Sequence, residues 1–385
     1  MRVLYIAEVQ WRSQVSRKHH LIRRFPEAWS VFYTSPANAA RGENSFRVRT
    51  ARPGPLVRYA TLPLPKPNAR LMLVRAASPL LARLGERRLR RIATSFEPDI
   101  VICSYIWAHG PVARLAAAGT PCIYDLNDLH YDFYPHCRAE AVEAFEALVD
   151  SADEVVCSSE RLRAVAGRGV VIGNGVDLTT FRGREMGEEP EELARSPLGG
   201  RDALVIYVGS IDDRIDFSAL ERTIVTAAEE GSGLVCVGRI FDMARAEVRR
   251  LERTYGESVL FTGRIDYERL PDFMSRCSVG VAPFVLNEKT AAINPNKLYT
   301  YAAMELNIVS TPFSREIERY GDLVFMAREP DAFAAAVRDA LGDAERRRAV
   351  RQTIALSNSW DEKAREYVEL IERLRAARAQ GVPSD

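Results

Sequence analysis

The sequence contains no CxxC pair, no GxGxxG, no GxxxxGK[ST], no GxSxG and no HExxH. Their absence disfavours hydride transfer on the common fingerprint, P-loop phosphoryl transfer, serine-esterase chemistry and zincin chemistry. Histidine is scarce: His19, His20, His109, His130 and His136 are the only five, and none has metal-ligand spacing to a carboxylate or cysteine. No catalytic metal is expected. The six cysteines are scattered, several within apolar runs, and read as small core residues of a reduced, cytosolic protein. No apolar run approaches the ~18 residues that a spanning helix needs. Met1 to Val9 is short and leads straight into charge, so it reads as a first strand and not as a signal peptide.

Acidic residues are also rare in the first quarter of the chain. Residues 1–91 hold 19 Lys and Arg against Glu8, Glu27, Glu43 and Glu86, a net of +15 within a chain whose overall charge is +1. Such a surface attracts nucleic acid, anionic lipid or phosphorylated substrates, and charge alone does not choose among them. No basic motif interleaved with aromatic residues points to nucleic acid. Leu71 to Ile92 has helical spacing with a very basic polar face, which fits a helix lying on an anionic membrane and equally one whose apolar side packs on the core.

At 385 residues, 47% hydrophobic and 27% charged, the chain has the length of two soluble domains. Apolar runs at Arg2–Ala7, Trp29–Tyr33, Asp99–Cys103, Pro121–Asp125, Asp153–Cys157 and Val170–Ile172 alternate with helical spacing and predict a doubly wound α/β domain over residues 1–182. Pro36 to Pro67, rich in Pro, Gly and Arg, reads as irregular surface structure. The polar stretch Arg182–Arg201 is the expected linker. A second Rossmann-like series spans residues 203–345, and residues 346–385 form a helical tail expected to pack back toward the first domain. Three of the second domain's strands end on or beside glycine, where backbone can approach a ligand closely.

The second series is organised around Pro283–Glu305. An apolar strand leads into a polar loop carrying Glu288, then Asn294-Pro295-Asn296-Lys297 opens a helix with Leu298, Tyr299, Ala302 and Ala303 on its core side. Asn294 is the expected cap and Pro295 the first helical residue. An ammonium at a helix amino terminus beyond a strand is a place where α/β sheets bind phosphorylated ligands. In the first domain, Ile123 to Asp132 puts Asp125, Asp128, His130 and tyrosines just beyond a strand, where a carboxylate could take a proton from a sugar hydroxyl. The same acids could instead cap a helix or pair with arginine.

The motifs in order, "RKHHL", "IYDLNDLH", "ADEVVCSSERL", "IGNGVD", "YVGSIDDRIDF", "FTGRID", "VGVAPF…NEKTAAINPNKLYTYAAMELNIVSTPF" and "SNSW", resemble the GT-B glycosyltransferases. The likeness is to the group 1, family 4-like branch of bacterial polysaccharide assembly, which is also similar to xanthan-type glucuronosyltransferases. It implies two Rossmann-like domains facing a cleft, the first for a glycan or lipid-linked acceptor and the second for a nucleotide-sugar, UDP-sugar first, with no metal or cofactor. Carried over by position, Gly209 and Ser210 would lie under the diphosphate, Arg264 and Ile265 would hold the base, Glu288 would reach the donor sugar, Asn296 and Lys297 would meet the phosphates and Leu298 would line the donor site. Asp128 would be the general base, with Trp11, Arg12, Arg17, His109 and His130 on the acceptor side. Relatives carry Glu where Thr300 stands, a Glu that binds the ribose hydroxyls, of which Thr300 could bond one, and glycine where Glu305 and Leu306 stand. Donor identity is left open, as are inversion and retention. A non-catalytic GT-B-like binding subunit and a sugar-nucleotide epimerase are the rival readings. The expected location is the cytoplasm, peripheral at the inner face of the membrane.

Overall fold

The computed structural model describes residues 1–12, 15–37, 47–63, 78–182, 187–321, 323–343 and 348–379. The chain divides into two compact units, Met1–Gly173 with Asp361–Asp385, and Asn174–Trp360.

The first unit is built on an eight-stranded sheet, β1 (Arg2–Ile6), β2 (Ser30–Pro36), β3 (Arg49–Ala51), β4 (Leu56–Leu62), β5 (Ile100–Cys103), β6 (Cys122–Leu126), β7 (Glu154–Cys157) and β8 (Val170–Val171), in the order β3-β4-β2-β1-β5-β6-β7-β8. Every pair is parallel except β3–β4. Its central strands are apolar on both faces because helices cover both, and β1, β5 and β6 are almost wholly buried.

Pro36–Pro67 is not all irregular. β4 pairs with β2 along its whole length, from Ser30↔Leu56 to Pro36↔Leu62. The prolines mislead because Pro53, Pro55 and Pro63 flank this strand without interrupting it. Residues 38–46 and 64–67 of that stretch lie outside the described residues, as do 71–77 of the expected basic helix, which is observed over Ser78–Phe96.

The second unit carries a six-stranded, all-parallel sheet of β9 (Leu204–Val208), β10 (Leu234–Val237), β11 (Val259–Gly263), β12 (Cys277–Ala282), β13 (Asn307–Ser310) and β14 (Phe325–Met326), ordered β11-β10-β9-β12-β13-β14. Part of the expected linker belongs to this unit: Leu193 and Leu198 are fully buried in its core. Residues 183–186 of the linker, 344–347 and 380–385 lie outside the described residues. The tail helix Trp360–Ala379 packs within the first unit, where Tyr367 is buried near Phe25, Asp361 pairs with Arg24 at 2.9 Å and Asp153 accepts from Arg378 at 2.6 Å.

Candidate active site

In the second unit the helix Asn296–Ala303 begins one residue later than expected, with Pro295 at its N-cap. Asn294 does not cap it. Its side-chain oxygen accepts the Asn174 N–H at 3.3 Å and its carbonyl accepts from the Asn174 amide at 3.1 Å. The IGNGVD turn therefore holds the loop that opens this helix. From the other end, the Tyr301 hydroxyl accepts the Val208 N–H at 2.9 Å and donates to the Val281 carbonyl at 3.2 Å. The helix is pinned to both β9 and β12.

That placement puts the Lys297 ammonium over two aromatic rings, 4.0 Å from the Tyr207 centroid and 4.2 Å from that of Phe284. Burial pushes its pKa well below the usual lysine value, Arg214 adds to the effect, and Asp212 and Cys236 oppose it. Gly209, at φ +139°, lies against the same ammonium: a Cβ there would come within 3.2 Å of Nζ. Gly238, at φ +156°, is required for a different reason, since its Cβ would fall 1.8 Å from the Gly209 carbonyl oxygen. Closeness of the β9 and β10 ends, not ligand approach, accounts for that glycine.

Of the other donor-side residues, Ser210 accepts the Tyr207 hydroxyl through its carbonyl at 2.7 Å. Arg264 is exposed just after β11, and Ile265 packs against the core. Glu288 is exposed at the start of the short helix Glu288–Ala291, which Asn287 caps. Asn296 is exposed, and the Thr300 hydroxyl donates to its carbonyl at 3.1 Å. Leu298 does not fit the role carried over to it: its side chain is 1% exposed in the core and its N–H bonds the Pro295 carbonyl.

In the first unit, Arg17 is 4% exposed and does not present itself to an acceptor. Its Nε donates to Asp125 at 3.1 Å, Nη1 to the Gly173 carbonyl at 2.6 Å and Nη2 to the Ile172 carbonyl at 2.8 Å. Asp125, fully buried, also accepts the Tyr5 hydroxyl at 2.7 Å. His130 is likewise turned inward. Its Nε2 donates to Asn127 at 2.9 Å, leaving Nδ1 to accept from Tyr124 at 3.1 Å, and burial pushes its pKa down to about 4. An imidazole so held stays neutral and bonded on both nitrogens. His19 shares that fate, with Nδ1 accepting from Ser16, Nε2 donating to the Trp11 carbonyl at 3.0 Å and a pKa pushed by burial to about 4.

Asp128 is half-buried in the loop after β6. His109 is half-buried at the start of the helix His109–Ala117; its Nδ1 donates to the Ile106 carbonyl at 3.0 Å, which leaves Nε2 as the basic nitrogen. Trp11 is half-buried against Tyr33 and His19, and Arg12 is exposed.

Two family models match the chain back to back: "Glycosyl transferase 4-like domain" over residues 16–174 and "Glycosyl transferases group 1" over residues 202–343. The chain belongs to the GT-B glycosyltransferases. It is similar to TuaH of Bacillus subtilis (strain 168), named for a glycosyltransferase role in teichuronic acid biosynthesis, at 24% identity over 261 residues. That match covers 62% of this chain and 64% of the relative, so the chain spans less than two thirds of the relative's length. Among solved structures it is similar to sucrose-phosphate synthase from Thermosynechococcus elongatus, with TM-score 0.74 and 15% identity, covering 98% of this chain and 100% of that one. An E. coli trehalose-6-phosphate structure bound with UDP-2-fluoro glucose has TM-score 0.70 and 11% identity, covering 97% and 99%. Anabaena HepE in complex with UDP has TM-score 0.59 and 16% identity, covering 99% of each chain. These structural likenesses carry the fold.

Two features of this GT-B glycosyltransferase escaped the reading of its residues. In the loop after β9, Asp212 accepts Arg214 at 2.9 and 2.6 Å. Burial alone would raise the Asp212 pKa, but Arg214, with Lys289, holds it below the usual carboxylate range. The run Asp212-Asp213-Arg214 directly after Gly209-Ser210 was the available signal. In the loop after β1, Glu8 accepts from Lys18 at 2.5 Å and from Ser104 at 2.7 Å. Burial again opposes its ionisation and is outweighed, chiefly by the Lys18 ammonium, with the hydrogen bonds from Lys18 and Ser104 adding to it. One acid just past the first strand of a basic domain was the only hint.

Proposed function

We propose that the protein moves a sugar from a nucleotide-sugar, UDP-sugar by first choice, to a carbohydrate or lipid-linked acceptor in bacterial polysaccharide assembly. The second unit takes the donor and the first unit takes the acceptor. The acceptor hydroxyl gives up its proton, its oxygen bonds to the anomeric carbon, and the bond from that carbon to the diphosphate breaks. The observation that carries this reading is the Lys297 ammonium at the ends of β9 and β12, on a helix amino terminus. Both the charge and the first-turn N–H groups of that helix suit the developing charge of a leaving diphosphate. UDP as the nucleotide is favoured by the ligands of HepE and of the E. coli structure, and polysaccharide assembly by the name of TuaH.

This reading requires no metal or cofactor, because lysine and backbone dipoles supply the electrostatic task that a metal ion performs elsewhere. Peripheral attachment to an anionic membrane, at its cytoplasmic face, belongs to the same reading. It is supported by the helix Ser78–Phe96, on which Arg83, Arg87, Arg90 and Arg91 are exposed alongside Leu80 and Leu84. Among the described residues no helix is long and apolar enough to cross a membrane.

The test is release of UDP from a panel of UDP-sugars without acceptor, in the presence and absence of a chelator, with UDP binding followed by thermal shift. Ligand at ~100 times its dissociation constant stabilises by roughly 2.7 kcal/mol. Slow release that the chelator leaves unchanged is expected. No release at all points to a binding subunit, and a changed sugar without release points to an epimerase.

A further inference from the structure

The first unit holds a pocket of about 160 Å³ on the β2–β4 side of its sheet, whose described lining residues all fall between Gln10 and Thr61. Its wall follows from strand register. Tyr33 of β2 pairs with Tyr59 of β4, and Tyr59 pairs with Arg49 of β3, so the three side chains stand in a row on one face of the sheet. Two residues further along the same face come Ser35 and Thr61, which also pair and also line the pocket. Trp11 stands against this wall, with ring centroids 5.2 Å from Tyr33 and 6.3 Å from Tyr59. The Tyr33 hydroxyl donates to the Val9 carbonyl at 2.7 Å, and Gln10 donates to the Pro36 carbonyl at 3.3 Å. The loop that carries Trp11 and Arg12 is thereby tied to β2.

Charge in this pocket has one sign. Arg12, Arg47 and Arg49 line it, and among the described residues no acidic side chain does. Among the described residues, neither Arg12 nor Arg49 pairs with a carboxylate, while Glu8, the nearest acid in sequence to Arg12, is paired with Lys18. Guanidinium groups present paired donors that match carboxylate and phosphate oxygens, and rigid aromatic faces beside them offer apolar surface to a ring. A volume of several waters, at roughly 30 Å³ each, suits one ring and not an extended chain.

We propose that this pocket binds an acidic sugar residue, one bearing a carboxylate or a phosphate, and so sets the class of acceptor as an anionic glycan. The proposal rests on the assignment of the acceptor to the first unit. Arg12 and Arg49 grip the acidic group, and Trp11 and Tyr59 contact the ring.

The test uses the full chain, with glucuronate, glucose 6-phosphate, glucose and inorganic phosphate as probes by saturation-transfer NMR and calorimetry, alongside UDP. At least one of the two acidic sugars should bind about tenfold or more tightly than glucose and than inorganic phosphate. Arg12→Ala with Arg49→Ala should abolish that preference, and Arg49→Lys should restore part of it. UDP affinity, a property of the second unit, shows that each variant is folded. Equal binding of glucose and the acidic sugars, or a preference that survives in the double variant, overturns the proposal. Inorganic phosphate binding as tightly as glucose 6-phosphate removes the sugar from it, and binding to anionic vesicles alone replaces it with a lipid headgroup. Loss of UDP binding by the unmodified protein overturns the donor assignment and leaves this proposal standing on the acidic-sugar result.

Discussion

Replacing Lys297 by alanine removes the ammonium that the second unit holds over Tyr207 and Phe284 at the ends of β9 and β12, and the expected effect is a difference between two states. In the free protein the ammonium lies 4.0 and 4.2 Å from two ring centroids. Contacts of that kind contribute about 0.5–1 kcal/mol at exposed sites and about 2 when desolvated. Bound to a diphosphate it makes hydrogen bonds between charged groups, each about 1.5–3 kcal/mol. Lys297→Ala should therefore weaken UDP by about 1.5–3 kcal/mol, roughly ten- to 150-fold in dissociation constant. The depressed pKa adds a second signature. Below the ordinary lysine value of 10.5 the unfolded chain binds this proton more readily than the folded one, so folding stability rises with pH between the folded pKa and 10.5. An anionic ligand favours the charged form and raises the pKa, so UDP binding takes up a proton between the free and bound pKa values and weakens as pH rises through that window. Calorimetry in buffers of different ionisation enthalpy measures both effects. Unchanged UDP affinity in the variant, or the same proton uptake with and without Lys297, would refute the assignment.

Asp128→Asn should lower turnover by ~10²–10⁴-fold, the usual contribution of a positioned base, with UDP affinity intact. If turnover survives in that variant and falls in His109→Ala, the His109 Nε2 is the base. Gly209→Ala should fold with a loss of about 1–2 kcal/mol from its left-handed backbone, whereas Gly238→Ala should lose more, because its Cβ meets backbone; denaturation midpoints decide the order. Arg17→Met leaves Asp125 buried without its cation and should cost about 3–5 kcal/mol in urea unfolding; a loss under ~1 kcal/mol contradicts the clamp. The protein should sediment with anionic and not with neutral liposomes, and less so as salt rises, since each Arg near such a surface contributes up to ~1 kcal/mol. Equal behaviour toward both would dismiss the membrane role.

Most strands were legible because a parallel sheet covered on both faces demands continuous apolar runs, and few other elements produce them. β4 was missed where prolines crowd its flanks, and β3 because three residues carry no periodicity. The helix Asn296–Ala303 was legible, but its cap was not. Asn294 and Asn174 lie 120 residues apart, and no local pattern records that they bond. Thr300 was expected near the ribose. Its hydroxyl instead donates to the carbonyl four residues earlier, a local bond that serine and threonine commonly make within helices.

The charge of the first unit was legible as a total but not as a distribution. The run Arg17-Lys18-His19-His20 reads as part of a basic helix, and all four residues are buried. What buries Arg17 is Asp125, 108 residues away, together with two carbonyls of the Ile172–Gly173 turn. Lys18 is buried because Glu8 and Ser104 complete its network, and His19 because it closes the Trp11 loop. Buried charges and imidazoles require such partners to offset the cost of leaving water. That requirement separates structural groups from chemical ones. Asp125, His19 and His130 each hold the fold through bonds they would have to break before touching an acceptor. Asp128 and the Nε2 of His109 remain as candidate bases, and Arg12 and Arg49 remain as cations with no carboxylate partner among the described residues. The same accounting that removes Arg17 and His130 from the five expected acceptor residues thus directs the proposed recognition to the pocket beside β2 and β4, and the proposed proton transfer to the loops after β5 and β6.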